Sequence, residues 1–148
     1  MNKEWNDKYD QQDLQRLRGL RLMDDDFMSK CFENNIECTE LVLHIVLGRD
    51  DLKVEKVETQ HLIKNLQGRS IILDIYATDH TGKRYNIEIQ RADRGAGAKR
   101  ARYHSSLIDA NITEPGDRLE NLSETYVIFI TERDVMGDAL PIYHINRM

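Results

Sequence analysis

Cysteine is nearly absent: Cys31 and Cys38 are the only two in 148 residues. That excludes a disulfide scaffold, and with no second Cys or His pair at ligand spacing the two form no zinc pattern. They are expected as reduced thiols packed on helices. Long apolar runs are missing as well. No stretch approaches the roughly 18 consecutive apolar residues of a membrane span, so no membrane partner is expected. The opening MNKEWNDKYDQQD lacks the apolar core of a signal peptide, and a cytoplasmic location is the expectation. Basic residues are not in excess, since 21 Lys and Arg face 26 Asp and Glu, for a net charge of −5. This balance argues against a non-specific nucleic-acid binder with a basic footprint, while leaving room for an acidic site beside a local basic stripe. No internal repeat or low-complexity segment is present, and no small-molecule cofactor is expected. With 40% hydrophobic and 32% charged residues, the chain reads as one soluble domain with a single substantial core.

What is present centres on residues 70–91, SIILDIYATDHTGKRYNIEIQR. Two apolar, β-branched halves flank Asp79-His80-Thr81-Gly82, a turn signal, so the stretch reads as a β-hairpin. A three-residue loop, 80–82, sets Asp79 against Lys83, Leu73 against Ile89, Ile75 against Ile87 and Asp74 against Glu88. Because side chains alternate along a strand, Ile71, Leu73, Ile75, Ile87 and Ile89 are expected on one face. Asp74, Tyr76, Asn86, Glu88 and Gln90 are expected on the other. A two-residue loop would set Asp74 against Ile89 and break the match of apolar faces. Two carboxylates directly opposite repel each other. Two readings follow: a divalent cation between them, with oxygen ligands that suit Mg²⁺ or Mn²⁺, or an edge hairpin whose acids face water.

The rest of the chain supplies further elements. Residues 1–12 are expected as a flexible tail, with the domain over 13–148. Leucines at 14, 17, 20 and 22 make a short amphipathic turn interrupted by Gly19. Residues 24–33 predict a helix opened by three acids, with Phe27, Met28, Cys31 and Phe32 on one face. Residues 36–47 predict a second helix closed by Gly48; apolar residues cover most of its circumference, so it is expected to be well buried. His44 within it reads as a packed or edge histidine. A first strand is expected over 54–61, a Gly/Ala-rich loop over 92–98, a helix over 99–112, and a loop over 113–124 punctuated by Pro115-Gly116. The continuous apolar run 125–131 predicts a strand buried on both faces. Residues 140–145 predict a last edge strand, where Pro141 is tolerated. This order predicts a mixed α/β sheet flanked by helices. Arg91, Arg94, Lys99, Arg100 and Arg102 follow the hairpin closely. On the helix, Lys99 with Arg102 and Arg100 with His104 form two basic rows, either a phosphate-binding stripe beside the acids or a solvated helix face. Tyr103 among them can hydrogen-bond or stack.

An Asp in an apolar strand, Glu-x-Gln at the end of the next, and then a basic helix resemble the PD-(D/E)xK nuclease superfamily. The specific resemblance is to the Rpn group of recombination-promoting nucleases, also called PD-(D/E)xK family transposases. The segments that carry the resemblance are LDIYATDHTGKRYNIEIQ (73–90), KRARYHSSLIDAN (99–111), YVIFITERDVMGDALPIYHINR (126–147) and DDDFMSKCF (24–32). Leu73 stands where the superfamily name has Pro. Gln90 stands where many members have Lys, as it does in the Rpn group.

The resemblance implies a restriction-endonuclease-like αβββαβ core and a Mg²⁺- or Mn²⁺-dependent DNA endonuclease acting in recombination or mobile-element biology. It implies Asp74 and Glu88 as metal ligands, the Ile89 carbonyl as a further ligand, and a Glu from the first core helix near the metal. By position that is Glu40, with Asp26 as the alternative; Glu40 on the helix's exposed edge is the competing reading. Gln90 would orient the attacking water or a phosphate oxygen without the charge of a Lys, and Lys83 lies too far along the strand to replace it. Arg91, Lys99, Arg100, Arg102 and Tyr103 would contact double-stranded DNA. Similar nucleases cut duplexes as dimers, so a C₂ homodimer is expected. Rpn-type proteins are often longer, which implies a catalytic-domain fragment or a short form. Two other readings stand beside this one: a non-catalytic relative that binds nucleic acid or protein, and a metal-binding hydrolase acting on something other than DNA.

Overall fold

The computed structural model describes residues 12, 25–90 and 96–146. The expected tail before Gln12, the leucine-bearing turn at 13–22 and most of the Gly/Ala-rich loop lie outside the described residues. Helix α1 (Asp25–Phe32) and helix α2 (Ile36–Leu47) are joined at Asn34-Asn35. Asn34 takes the left-handed conformation (φ 52°) that Asn tolerates. Asn35 closes one helix and opens the next: its Oδ1 accepts from the Cys38 N–H (3.0 Å), and its Nδ2 donates to the Cys31 carbonyl (3.0 Å). Gly48 ends α2 at φ 63°, where a Cβ would be strained.

Four strands follow: β1 (Val54–Ile63), β2 (Ile71–Asp79), β3 (Arg84–Gln90) and, after helix α3 (Ala98–Ile112) and a short 3₁₀ turn (Leu119–Asn121), β4 (Thr125–Thr131). The sheet order is β1-β2-β3-β4; the first two pairings are antiparallel and β3-β4 is parallel. This is the expected mixed sheet of an α/β restriction-endonuclease-like fold, with helices on both faces. On one face Phe32 and Leu43 pack with Ile75, Ile87 and Ile89. On the other, Leu107 and Ile108 of α3 pack with Ile63, Ile71, Leu73 and Tyr76. Phe32, Leu43 and Ile108 are fully enclosed, and truncating such a side chain to Ala costs about 2–5 kcal/mol.

The hairpin has the three-residue loop, with Ile75 opposite Ile87 and Thr78 opposite Arg84. Asp79 anchors the loop: its Oδ1 accepts from the N–H groups of Thr81 (2.8 Å) and Lys83 (3.0 Å), and its Oδ2 from the Tyr85 hydroxyl (2.7 Å). Gly82 sits at φ 85°, the position a left-handed residue must fill in such a loop.

Four expectations are corrected. Ile71 and Leu73 do not share the core of Ile75, Ile87 and Ile89, because the alternation of buried positions steps across the sheet at Asp74; beside it in β1, Gln60 holds φ 51°. The run 125–131 is an edge strand of the described sheet with only Ile128 buried, since β-branched apolar residues also suit a half-covered edge. Helix α2 is an outer-layer helix: Thr39 and Leu43 are buried, while Leu41 (58%) and Ile45 (65%) are exposed. Residues 140–145 form no strand. The Asp134 carboxylate accepts from the N–H groups of Met136, Gly137 and Ala139, and the Tyr143 hydroxyl accepts from those of Asp138 and Leu140. Those donors are spent on a compact loop.

Candidate active site at the fork of the sheet

Toward the turn, β2 and β3 pair normally. The ladder stops at Ile75–Ile87, and beyond it β2 continues paired with β1 only, while β3 continues paired with β4 only. The sheet thus divides into two two-stranded arms. Asp74 and Glu88, the next residues along each strand, sit where the arms part. Each carboxylate satisfies the backbone donor that the parting strand has lost. Glu88 Oε2 accepts from the Asp74 N–H (2.7 Å), and Asp74 Oδ2 accepts from the Ile89 N–H (3.0 Å). Asp74 and Glu88 thus meet across the fork through side-chain to backbone bonds, one position beyond the last paired rung, rather than as a ladder pair, and it is the Ile89 N–H that joins them.

The second oxygen of each acid is approached at longer range. Gln60 Nε2 lies 3.5 Å from Asp74 Oδ1. Arg100 lies 3.7 Å and His104 Nδ1 3.6 Å from Glu88 Oε1. Glu88 is only 1% exposed. Burial pushes its carboxyl up and the Asp74 charge adds to this, reaching about 7 despite the Asp74 N–H, the Asn86 amide and the Arg100 guanidinium.

Helix α3 completes the site. His104 is buried; burial first, then the charges of Arg100 and Arg69, push it down to about 4, so the ring is neutral at pH 7. Its Nδ1 lies 2.9 Å from Asn86 Oδ1 and its Nε2 accepts from Arg100 Nε (3.4 Å), an arrangement that puts the proton on Nδ1. Asn86 is fully buried and donates to the Ile75 carbonyl (3.3 Å). Asn86 and His104 thus link the last paired rung of the hairpin to the guanidinium over Glu88.

Gln90, two residues beyond Glu88, is the half-buried last residue of β3, beside Thr131. The structure does not bring every other predicted site residue to the fork. Lys99 and Arg102 are exposed on α3. Tyr103 braces the β1–β2 loop: its hydroxyl donates to the Arg69 carbonyl and accepts from Asn65 Nδ2 (3.2 Å). Lys83 pairs with Glu124 (2.9 Å), and His44 packs with its Nε2 against the Leu52 carbonyl (2.8 Å). Glu40 is elsewhere. Its Oε2 accepts from the Val54 N–H (2.9 Å), near Lys53 and His44, and Val54 pairs with Asp79 at the turn end of β2. Arg91, Arg94 and the side chain of Asp26 lie outside the described residues. Sequence reasoning did not give site roles to Asn86, Gln60 and Arg69. Asn86 had a signal, lying two residues before Glu88 on the acid-bearing face; Gln60 and Arg69 come from a different strand and a loop and had none.

Among the described residues no group of three or more His, Cys, Asp or Glu side chains is set to hold a metal. Two carboxylates with one oxygen each beyond short backbone bonds still fit a hard cation, because Mg²⁺ commonly takes one or two protein carboxylates and fills its shell with water and substrate phosphate. Such a cation would also reverse the repulsion that raises Glu88.

Compared with known proteins, the chain matches the family described as PD-(D/E)XK nuclease family transposase over residues 27–145. No curated protein and no solved structure matches it. Among the described residues no helix is long and apolar enough to cross a membrane.

Proposed function

Because the chain belongs to the PD-(D/E)XK nuclease family transposases, we propose that it is a metal-dependent endonuclease hydrolysing phosphodiester bonds of double-stranded DNA, in recombination or mobile-element biology, with the fork as its active site. The observation that carries this reading is the burial of the Glu88 carboxyl beside Asp74. A Gln there would accept the Asp74 N–H equally in geometry, yet the chain buries an acid beside a second acid, a combination the fold alone does not need.

Asp74 and Glu88 would hold Mg²⁺ or Mn²⁺, with the Ile89 carbonyl as a further ligand; the ion, when bound, supplies Lewis acidity and lowers the pKa of a bound water. Gln90 orients the attacking water or a phosphate oxygen through its amide. The positive charge that a Lys would bring there comes instead from Arg100, whose guanidinium lies beside Glu88 and is steadied by the neutral His104. Charge-assisted contacts from such a group are roughly twice as strong as neutral ones. Lys99 and Arg102 contact flanking phosphates, as does Arg91. A C₂ pair of chains, one strand per site, cuts both strands.

The test is supercoiled plasmid incubated with Mg²⁺, Mn²⁺ or EDTA. The expected result is nicked and then linear DNA with either metal and none with EDTA, with cutting undiminished by an excess of a small phosphodiester. A folded protein that binds DNA but leaves plasmid intact under every condition points to the alternative, a non-catalytic binding module, which the absence of Lys at position 90 favours.

A further inference from the structure

Only one of the two arms at the fork ends in a hairpin, and it is unusually dressed. Beyond Asp74, β2 pairs with β1 alone through Leu73–His61, Ile72–Leu62 and Ile71–Ile63. Ile63, Ile71 and Leu73 turn inward onto Leu107 and Ile108 of α3. The cross-strand pair Leu62 and Ile72 is left half in water (49% and 55% exposed), and Leu66 in the connecting loop is 97% exposed. Lys64 and Arg69, both exposed, flank Leu66.

The loop that carries Leu66 is tied down. The Asn65 N–H donates to Ser70 Oγ (3.0 Å), Asn65 Oδ1 accepts from the Gln67 N–H (3.1 Å), and Tyr103 of α3 bonds both the Asn65 side chain and the Arg69 carbonyl. An ordered loop that holds a leucine fully in water gains nothing from it within this fold.

We propose that this end of the β1–β2 hairpin is a groove-reading ribbon that seats in duplex DNA beside the scissile phosphate. Its apolar residues contact base edges or sugars and Lys64 and Arg69 contact the two flanking backbones. A two-stranded ribbon fits a DNA groove, and apolar side chains at a ribbon tip serve as wedges between base steps. Charge selects the occupant: both cations of the loop stand on the arm that carries Asp74, the loop is tied through Asn65 and the Arg69 carbonyl to Tyr103, next to Arg102 on α3, and the Arg69 charge is felt at His104 beside Arg100, in a chain whose overall charge is −5. The inference rests on the endonuclease reading and extends it from the chemistry to how the substrate is gripped.

The test is binding of a labelled 30-base-pair duplex to the full chain in EDTA, by fluorescence anisotropy across a salt series. Three variants are compared with wild type after circular dichroism has verified their folds: Leu66→Ala, Lys64→Gln with Arg69→Gln, and Arg100→Ala with Arg102→Ala. Leu66→Ala is expected to weaken binding roughly tenfold with an unchanged salt slope, the signature of lost apolar burial. The Lys64→Gln, Arg69→Gln protein is expected to lower the slope by about two, as for two lost phosphate contacts. If both ribbon variants bind as wild type while the α3 variant binds weakly, the ribbon is overturned and the endonuclease reading stands. If wild type neither binds nor cuts duplex, both are overturned. If Leu66→Ala instead dissolves a dimer, as seen by sedimentation, and leaves DNA affinity per chain unchanged, the patch is a contact between copies and the ribbon is overturned.

Discussion

Replacing Glu88 by Gln should stabilise the metal-free protein, by an amount that grows with pH. In the unfolded chain this carboxyl titrates near 4.5; in the fold, burial and the Asp74 charge push it up to about 7. Between those values the folded protein holds the extra proton. Wild-type stability attributable to Glu88 is therefore intact below about pH 4.5, falls as pH rises to about 7, and stays low above. At 1.36 kcal/mol per pH unit of displacement, the loss is roughly 3 kcal/mol. The Glu88→Gln side chain keeps an oxygen for the Asp74 N–H and has no proton to lose. His104 contributes the opposite slope, because its folded value near 4 leaves the unfolded chain with the extra proton up to about pH 6.5. Both proteins carry it, so it cancels in the difference. Urea unfolding in EDTA should show the variant and wild type within a few tenths of a kcal/mol near pH 4.5 and the variant ahead by roughly 3 kcal/mol near pH 8. In melting temperature this is on the order of 6–12 °C. A difference independent of pH, or one that grows on acidification, refutes the claim that Glu88 is a buried charge opposed by Asp74.

Other outcomes follow from the same geometry. Asp74→Asn should raise the melting temperature in EDTA and abolish any stabilisation by Mg²⁺ or Mn²⁺; an unchanged metal response removes Asp74 from the site. His104→Gln should flatten the part of the stability profile that falls as pH drops from about 6.5 to about 4, since the buried ring resists protonation there; urea midpoints across that range read it, and an unaltered slope argues against a buried neutral ring. Arg100→Ala should lower plasmid cutting in both kcat and DNA affinity, whereas Arg102→Ala should lower affinity and its salt slope by about one; single-turnover rates separate the two.

The hairpin and its acid pair were legible because they depend on local information. Asp79 through Gly82 set the loop length, and the period of two in the flanking strands then put Asp74 against Glu88. The step at Asp74 was not legible, because it arises with Gln60 in another strand, where a left-handed backbone turn at a non-glycine residue has no signature in the sequence. The partial exposure of β4 was misread for a related reason: an apolar β-branched run looks the same whether one or both of its faces are covered. The outer position of α2 was misread because apolar residues do not by themselves report which flank is covered. Glu40 shows where position within a family pattern stops helping. The helix placed it near the start of the sheet, but which backbone N–H its carboxylate meets is decided by packing, and that N–H is Val54. The Asn86–His104 contact spans 18 residues and joins a strand to a helix across the sheet; the residues were visible beforehand and their meeting was not.

The proposed cutting centre consists of Asp74 and Glu88, without Glu40. Single-turnover cleavage of one supercoiled plasmid in Mn²⁺ by Asp74→Ala, Glu88→Ala and Glu40→Ala tests it most directly, with folding checked for each. The prediction is that the two fork variants lose cleavage by at least about a hundredfold, while Glu40→Ala cuts at the wild-type rate and is only less stable, by about 1–3 kcal/mol for the orphaned Val54 N–H. Cleavage that survives loss of either fork acid, or that disappears with Glu40, contradicts it.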